Sequence, residues 1–221
     1  MGKKQFVVIG MGRFGQSVAR GLAGLGQEVM AVDSDEALVN MVSPYVTHAV
    51  QADATDEKAL AALGIRNFDV AVVSIGYNIQ ASILITMQCK ELGVGFVLAK
   101  AQNELHGKVL YRTGADKVVF PERDMGLRVA HNLADANILD YIEIAGDLRI
   151  VDISALHGWE NKSLAELDFR KKYGVNVIAI KKKNRELNTV PQGGDVIEKE
   201  DKLIVVGTKE SIARLENVTH R

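Results

Sequence analysis

The chain has a single cysteine in 221 residues, Cys89, so an intramolecular disulfide is impossible. That usage fits a reducing compartment, and Cys89 sits in an apolar helix-like run where an inert thiol is expected. Long apolar runs are also missing. The best candidate, Val70 to Met87, is interrupted by Gly76, Asn78 and Gln80, so no membrane-spanning helix is expected. The opening Met-Gly-Lys-Lys lacks the apolar segment of a signal peptide, and Phe6 stands where a myristoylation signal needs Ser or Thr. Charge of one sign is lacking too: 27 basic residues face 28 acidic ones, for a net charge of −1. The two signs are interspersed, and no helix-turn-helix or basic stripe appears, which argues against nucleic acid as a partner. His48, His106, His131, His157 and His220 show no metal-ligand spacing such as H-E-x-x-H. None of the tyrosines begins a Y-x-x-x-K pair; the fourth residues after Tyr45, Tyr77, Tyr111, Tyr141 and Tyr173 are Ala49, Ala81, Ala115, Ala145 and Val177.

The stretch from Gln5 to Asp33 carries the main positive signal. A short apolar run ends in G-x-G-x-x-G, Gly10-Met11-Gly12-Arg13-Phe14-Gly15; a helix-like segment follows, and a second apolar run ends at Asp33. An acid about 20 residues after the glycines completes a dinucleotide-binding frame. Gly10 permits a tight turn out of the strand, Gly12 lets a phosphate approach the backbone, and Gly15 lets the helix pack closely on the sheet. The unpaired N–H groups at the helix start then face phosphate. Asp33, followed by Ser34, is placed to accept hydrogen bonds from ribose hydroxyls.

Strand and helix patterns alternate at short spacing. Strands are predicted at Phe6–Ile9, Val29–Val32, His48–Gln51, Val70–Ser74, Phe96–Ala99 and Lys117–Phe120. Helices are predicted at Phe14–Leu25, Asp35–Val42, Glu57–Leu63, Ile79–Leu92 and Glu104–Arg112. Ser34 and Thr55 read as caps, with Asp35-Glu36 and Asp56-Glu57 in the first turns. The alternation predicts a doubly wound parallel sheet with ligand beyond the carboxyl ends of strands one, two and four. After Pro121 the pattern changes. A helix with Met125, Val129 and Leu133 on one face runs to about Ala136. Strand-like Ile138–Ala145 and Leu148–Ala155 follow, then a helix over Ser163–Tyr173, strands at Val175–Lys181 and Leu203–Val206, and a last helix over Ser211–Asn217. This tail is too small to complete the substrate domain of an NAD(P)-dependent oxidoreductase, which is the main rival reading alongside an NAD(H)-sensing protein.

The ordered set of motifs resembles the RCK (TrkA-type) family, the regulatory subunits of Ktr- and Trk-type potassium transport. The stretches that carry it are Phe6-Val-Val-Ile-Gly-Met-Gly-Arg-Phe-Gly15, Ala52-Asp-Ala-Thr-Asp56, Gly64-Ile-Arg-Asn-Phe-Asp69, Ser74-Ile-Gly-Tyr-Asn-Ile-Gln-Ala-Ser82, Gly114-Ala-Asp-Lys-Val118, Pro121-Glu-Arg-Asp-Met-Gly126 and Arg170-Lys-Lys-Tyr-Gly-Val-Asn-Val-Ile-Ala-Ile180. The resemblance covers essentially the whole chain. It implies a Rossmann-like nucleotide-binding domain over residues 1–120, a connecting crossover helix over 121–137 and a small α+β C-terminal subdomain over 138–221. It also implies a homodimer assembling to an octameric ring beneath a membrane potassium-translocating subunit. The chain would then be cytoplasmic, held at the inner face of the membrane through that partner, and would catalyse nothing.

Arg13, between the second and third glycines, places a cation beside the phosphate cradle. That favours a nucleotide with terminal phosphate charge, ATP or ADP, because guanidinium–phosphate bonds are charge-assisted; the alternative is a solvated Arg on the first helical turn. Asp53 and Ala54 follow the third strand, beside the adenine end of a ligand; the alternative is that Asp53 and Thr55 merely form a turn and helix cap. Ser74, Ile75 and Gly76 follow strand four and should border the ribose. Lys100 ends strand five, either adding charge near the phosphates or standing solvated. Glu122 lies near a helix start, where the dipole favours an acid. The resemblance adds that two copies of Glu122 meet across a dimer and are bridged by Mg²⁺, Ca²⁺ or Na⁺, a cation relieving carboxylate repulsion. It also implies cyclic di-AMP binding in a groove between C-terminal subdomains, with Arg170 and Asn176-Val177 on the phosphates and Ile178 and Pro191 as apolar walls.

Overall fold

The computed structural model describes residues 3–134 and 138–219. The expected end of the connecting helix at 135–137, and His220, lie outside the described residues. The chain divides into two compact units, Met1–Arg123 and Asp124–Arg221.

Six parallel strands form the first unit: β1 (Gln5–Ile9), β2 (Glu28–Asp33), β3 (His48–Gln51), β4 (Val70–Val73), β5 (Phe96–Lys100) and β6 (Lys117–Val119). Their order is β3-β2-β1-β4-β5-β6. The chain therefore winds outward in both directions from β1, and the switch point falls between β1 and β4. Helices α1 (Arg13–Gly24), α2 (Glu36–Val42), α3 (Glu57–Ala62), α4 (Ile79–Glu91) and α5 (Glu104–Arg112) supply the crossovers. The central strands read as near-continuous apolar runs because both faces are covered. Val7, Ile9, Ala71 and Val73 pack into one core layer with Ile85 and Leu110, while Val8, Val29, Ala31 and Val72 pack into the opposite layer with Met11 and Ala19. The two-residue alternation of each strand thus feeds two separate cores.

The expected strands and helices of this unit form, with ends shifted by a residue or so. The caps are corrected. Asp35 and Asp56, rather than Ser34 and Thr55, cap α2 and α3, their carboxylates accepting the N–H groups of Ala37 at 2.8 Å and Lys58 at 2.9 Å. A carboxylate on so short a side chain reaches the exposed amide two residues on. Ser34 instead offers its carbonyl to Gln51, and the Thr55 hydroxyl donates to Asp53.

In the second unit α6 (Pro121–Ala134), which begins in the first, is followed by β7 (Ile138–Ala145) and β8 (Leu148–Ser154). A five-stranded antiparallel sheet runs in the order β11-β10-β13-β8-β7, with β10 (Asn176–Lys181), β11 (Leu187–Asn188) and β13 (Lys202–Thr208). Two further short strands, β9 (Lys162–Ser163) and β12 (Val196–Ile197), pair with each other. Val151, Ile153, Leu203 and Val205 alternate into a core shared with Trp159, Phe169 and the last helix, α9 (Lys209–Thr219). Met125, Val129 and Leu133, expected on one face of α6, all stay exposed.

The helix predicted over Ser163–Tyr173 is two helices. Ser163 and Glu166 form a reciprocal capping box that starts α7 (Leu164–Leu167), and α8 spans Phe169–Tyr173. Asp168 separates them in the left-handed conformation, with φ 43° and ψ 54°. Its carboxylate caps α8 by accepting the Lys171 N–H. Asp tolerates that conformation better than most side chains because it bonds locally. The break lets Phe169 turn inward to meet Trp159 edge-on, with ring centroids 4.8 Å apart.

Candidate nucleotide site

The glycine loop is built where β1 ends at the switch point. Gly10 has φ 95°, a conformation that L side chains resist. A Cβ there would also stand 2.9 Å from Ile75 Cδ1. Gly15 lies in α1, and a Cβ on it would fall 1.9 Å from the Gly10 carbonyl oxygen and 2.4 Å from Ser74 Oγ. Gly12 is different: a Cβ at this position would meet nothing within 4 Å. Gly10 and Gly15 are thus required by the fold, whereas Gly12 borders open space.

Gly12 caps α1 without any side-chain hydrogen bond, and no acid stands in the first turn. The amides of that turn lack helical partners, so the N-terminus carries partial positive charge into the open space. Arg13, the first residue of α1, is exposed beside it. Met11 is fully buried and Phe14 half-buried, so they anchor the loop from below.

Two side chains fix the loop. Asp33, at the end of β2, accepts the Met11 N–H on one oxygen at 2.5 Å and the Asp35 N–H on the other at 2.9 Å. Buried Ser74, just past β4, donates its hydroxyl to the Gly10 carbonyl at 2.5 Å. The two residues expected to meet ribose therefore also hold the backbone that would receive phosphate. Motif spacing identified both as ligand candidates but gave no sign of their inward bonds.

Across the switch point a second group assembles. Lys100, at the end of β5, pairs with Glu122 at 2.5 Å. The Lys100 side chain is 11 % exposed and that of Glu122 69 %, so the pair projects from a sheltered ammonium to an open carboxylate. The hydrogen bond from Lys100 is the main reason the Glu122 carboxyl lies below the ordinary carboxylate range, against an opposing effect of burial. The Lys100 ammonium also lies 3.9 Å from where a Gly76 Cβ would be. Gly76, Lys100 and Glu122 thus form one cluster. Sequence reasoning named all three without linking them; the adjacency of β4 and β5 in a doubly wound sheet was the available signal.

Asp53 and Ala54 follow β3. Asp53 accepts both the Thr55 amide, at 2.9 Å, and the Thr55 hydroxyl, at 2.7 Å. These bonds, the hydroxyl first, hold its carboxyl below the usual range. The turn reading of Asp53 is therefore present in the structure. Ala54 is buried in the core.

In the C-terminal unit, Arg170 on α8 donates Nε–H to Asn176 Oδ1 at 2.8 Å, across the left-handed Gly174 turn that leads into β10. One edge of the guanidinium is held, and Arg170 and Asn176 are both exposed. Val177 is half-buried and Ile178 exposed along β10. Pro191 is half-buried in the loop between β11 and β12. Among the described residues no helix is long and apolar enough to cross a membrane.

Comparison with known proteins places both units. The TrkA-N domain family matches residues 6–121 and the TrkA-C domain family residues 148–220. The chain is 49 % identical over 214 residues to Ktr system potassium uptake protein C of Bacillus subtilis (strain 168), covering 97 % of this chain and 96 % of that protein. It is 45 % identical over 214 residues to Ktr system potassium uptake protein A of the same organism, with the same coverage. Among solved structures, the GsuK RCK domain matches with a TM-score of 0.68 at 20 % identity. That match covers 100 % of this chain and 48 % of the GsuK chain, and it establishes the shared fold.

Proposed function

The chain belongs to the TrkA-N/TrkA-C family of Ktr system potassium uptake proteins, and from this premise we propose that it is a cytoplasmic regulatory subunit switched by ATP and ADP. The family is one of potassium transport proteins and not of enzymes, so the glycine loop is read as a sensor. The observation that carries this reading is the open α1 N-terminus above Gly12, with the exposed Arg13 beside it. Backbone amides, helix dipole and guanidinium together suit a terminal phosphate better than the internal pyrophosphate of NAD. Calorimetric titration with ATP, ADP and NAD tests it. ATP and ADP should bind more tightly; NAD binding tenfold more tightly than either, about 1.4 kcal/mol, would overturn the assignment.

The subunit works as a ring beneath a membrane potassium-translocating partner, at the inner face of the membrane. Residues 1–120 form the nucleotide domain, 121–137 the connecting helix and 138–221 the C-terminal subdomain. Exposed Met125, Leu127, Val129 and Leu133 on α6 favour self-association, since apolar groups clustered on a surface helix mark contact sites. The ring is octameric, made of dimers. Nucleotide moves it between two states only to the extent that it binds them unequally. Paired Glu122 carboxylates hold a cation in the ATP state, with Lys100 as the competing counter-ion. Arg170, Asn176, Val177, Ile178 and Pro191 form the half-site of a cyclic di-AMP groove that lowers uptake, a role favoured by the orientation of Arg170 on Asn176.

A further inference from the structure

We propose that the C-terminal unit carries a second anion site, a pocket for a small phosphate monoester bounded by Lys162, Lys172 and Trp159. A pocket of about 440 Å³ opens between the single-turn helix His157–Trp159 and helices α7 and α8. Its volume lies in the range of small-molecule sites. Trp159 and Leu167 are buried and Tyr173 half-buried, so they form an apolar floor.

Both cations of the lining are held in place. Lys162 Nζ donates to the Gly158 carbonyl at 2.8 Å, and Lys172 Nζ donates to the Glu166 carbonyl at 3.4 Å. An ammonium has three N–H donors, so each retains two for a ligand. The acid of the lining is already committed. Glu166 Oε2 accepts both the Ser163 amide and the Ser163 hydroxyl at 2.7 Å. These bonds, the amide first, with a smaller contribution from the Lys162 charge, hold the Glu166 carboxyl below its usual range, so it stays ionised within the capping box. Two lysines against one bonded carboxylate leave a net positive lining.

Two ammonium point charges over an apolar floor select a dianionic head on a compact body. A phosphate monoester carries about −1.5 to −2 charges near neutrality, and lysine serves phosphate as a point charge. The pocket is separate from the Arg170 side of α8. Residues two apart on a helix do not face each other, and Arg170 is turned to Asn176 while Lys172 lines the pocket.

Trp159 is the only tryptophan of the chain, and it lines this pocket while packing on Phe169, so tryptophan fluorescence arises at the pocket and the core beneath it. The full-length protein is titrated with phenyl phosphate, excited at the red edge of tryptophan absorption. A saturable change is expected, weakened at least tenfold in the Lys162→Gln/Lys172→Gln double variant and unchanged in Arg170→Ala. Both lysines are exposed, so circular dichroism should report a native fold in each variant. AMP and glucose 6-phosphate then assign a nucleotide or a sugar source. A response that fails to saturate, survives the double substitution, disappears in Arg170→Ala, or is matched by benzoate overturns the proposal.

Discussion

Asp33 reaches back across the glycine loop to hold the Met11 N–H at 2.5 Å, so the acid at the end of β2 is part of the loop's own scaffold. The proposed nucleotide contact and the stability of the loop therefore fall on one residue. Asp33→Ala should weaken ATP or ADP at least tenfold, about 1.4 kcal/mol. It should also lower folding stability by about 1–3 kcal/mol, because the Met11 amide loses its acceptor. Asp33→Asn keeps one acceptor oxygen and should recover much of the stability while remaining weak for nucleotide. Calorimetry and thermal denaturation on both variants separate the two effects. Unchanged nucleotide affinity in Asp33→Ala would place the ribose contact elsewhere.

Gly12 and Gly15 should respond in opposite ways to the same substitution. The Cβ of Gly15→Ala would lie 1.9 Å from the Gly10 carbonyl oxygen, so α1 must move off the sheet. A stability loss of about 1–3 kcal/mol is expected from such overpacking. Gly12→Ala meets no atom within 4 Å and has an ordinary φ of −63°. It should fold like the parent protein and lose ATP affinity, since the methyl group occupies the phosphate approach. Undiminished ATP binding by Gly12→Ala would remove the phosphate from this loop.

The parallel sheet was readable because its buried strands are short apolar runs punctuated by Gly26, Gly64 and Gly93, each at positive φ after a helix. The glycine fingerprint was readable because one spacing serves turn, approach and packing together. Other features had no such signal. Asp168 breaks a continuous helical pattern by adopting a left-handed conformation that its neighbours do not announce. The caps moved by one residue because Ser34-Asp35 and Thr55-Asp56 each offer two competent caps, and only geometry chooses between them. The Lys100–Glu122 contact joins residues 22 apart on separate elements, which no local pattern records. The two-residue strands β9 and β12 are too short to leave a periodicity.

The Lys100–Glu122 pair predicts a defined acid response. The folded-state carboxyl of Glu122 lies below its ordinary value of 4.5, chiefly through the Lys100 hydrogen bond. Its contribution is therefore complete above the ordinary value and is lost as pH falls through the depressed one. Because Glu122 is largely exposed, the stability involved is small, under about 1 kcal/mol. Lys100→Met should return the Glu122 carboxyl toward its ordinary range in a carboxyl-carbon NMR titration. The same variant should strengthen the effect of Ca²⁺ or Mg²⁺ on ATP-linked assembly, because the ammonium no longer competes for the carboxylate; Glu122→Gln should abolish that effect. Identical cation responses in parent and Glu122→Gln, read by light scattering, would reduce Glu122 to a helix-start acid paired with a lysine.

Arg170 offers a test of the proposed cyclic di-AMP groove that leaves the glycine loop untouched. Its Nε–H is already spent on Asn176 at 2.8 Å, which fixes the guanidinium plane and leaves its terminal N–H groups free for a phosphate. Hydrogen bonds to charged groups are worth about 1.5–3 kcal/mol each. Arg170→Ala should therefore weaken cyclic di-AMP by two orders of magnitude or more (about 2.7 kcal/mol). Asn176→Ala releases the guanidinium without removing it, so a smaller loss is expected. ATP affinity should be the same in both variants, because the glycine loop lies in the other unit. Full-length Arg170→Ala protein that binds cyclic di-AMP as the parent does would take this arginine out of the site, and parent protein that ignores the ligand would remove the groove from the regulatory scheme.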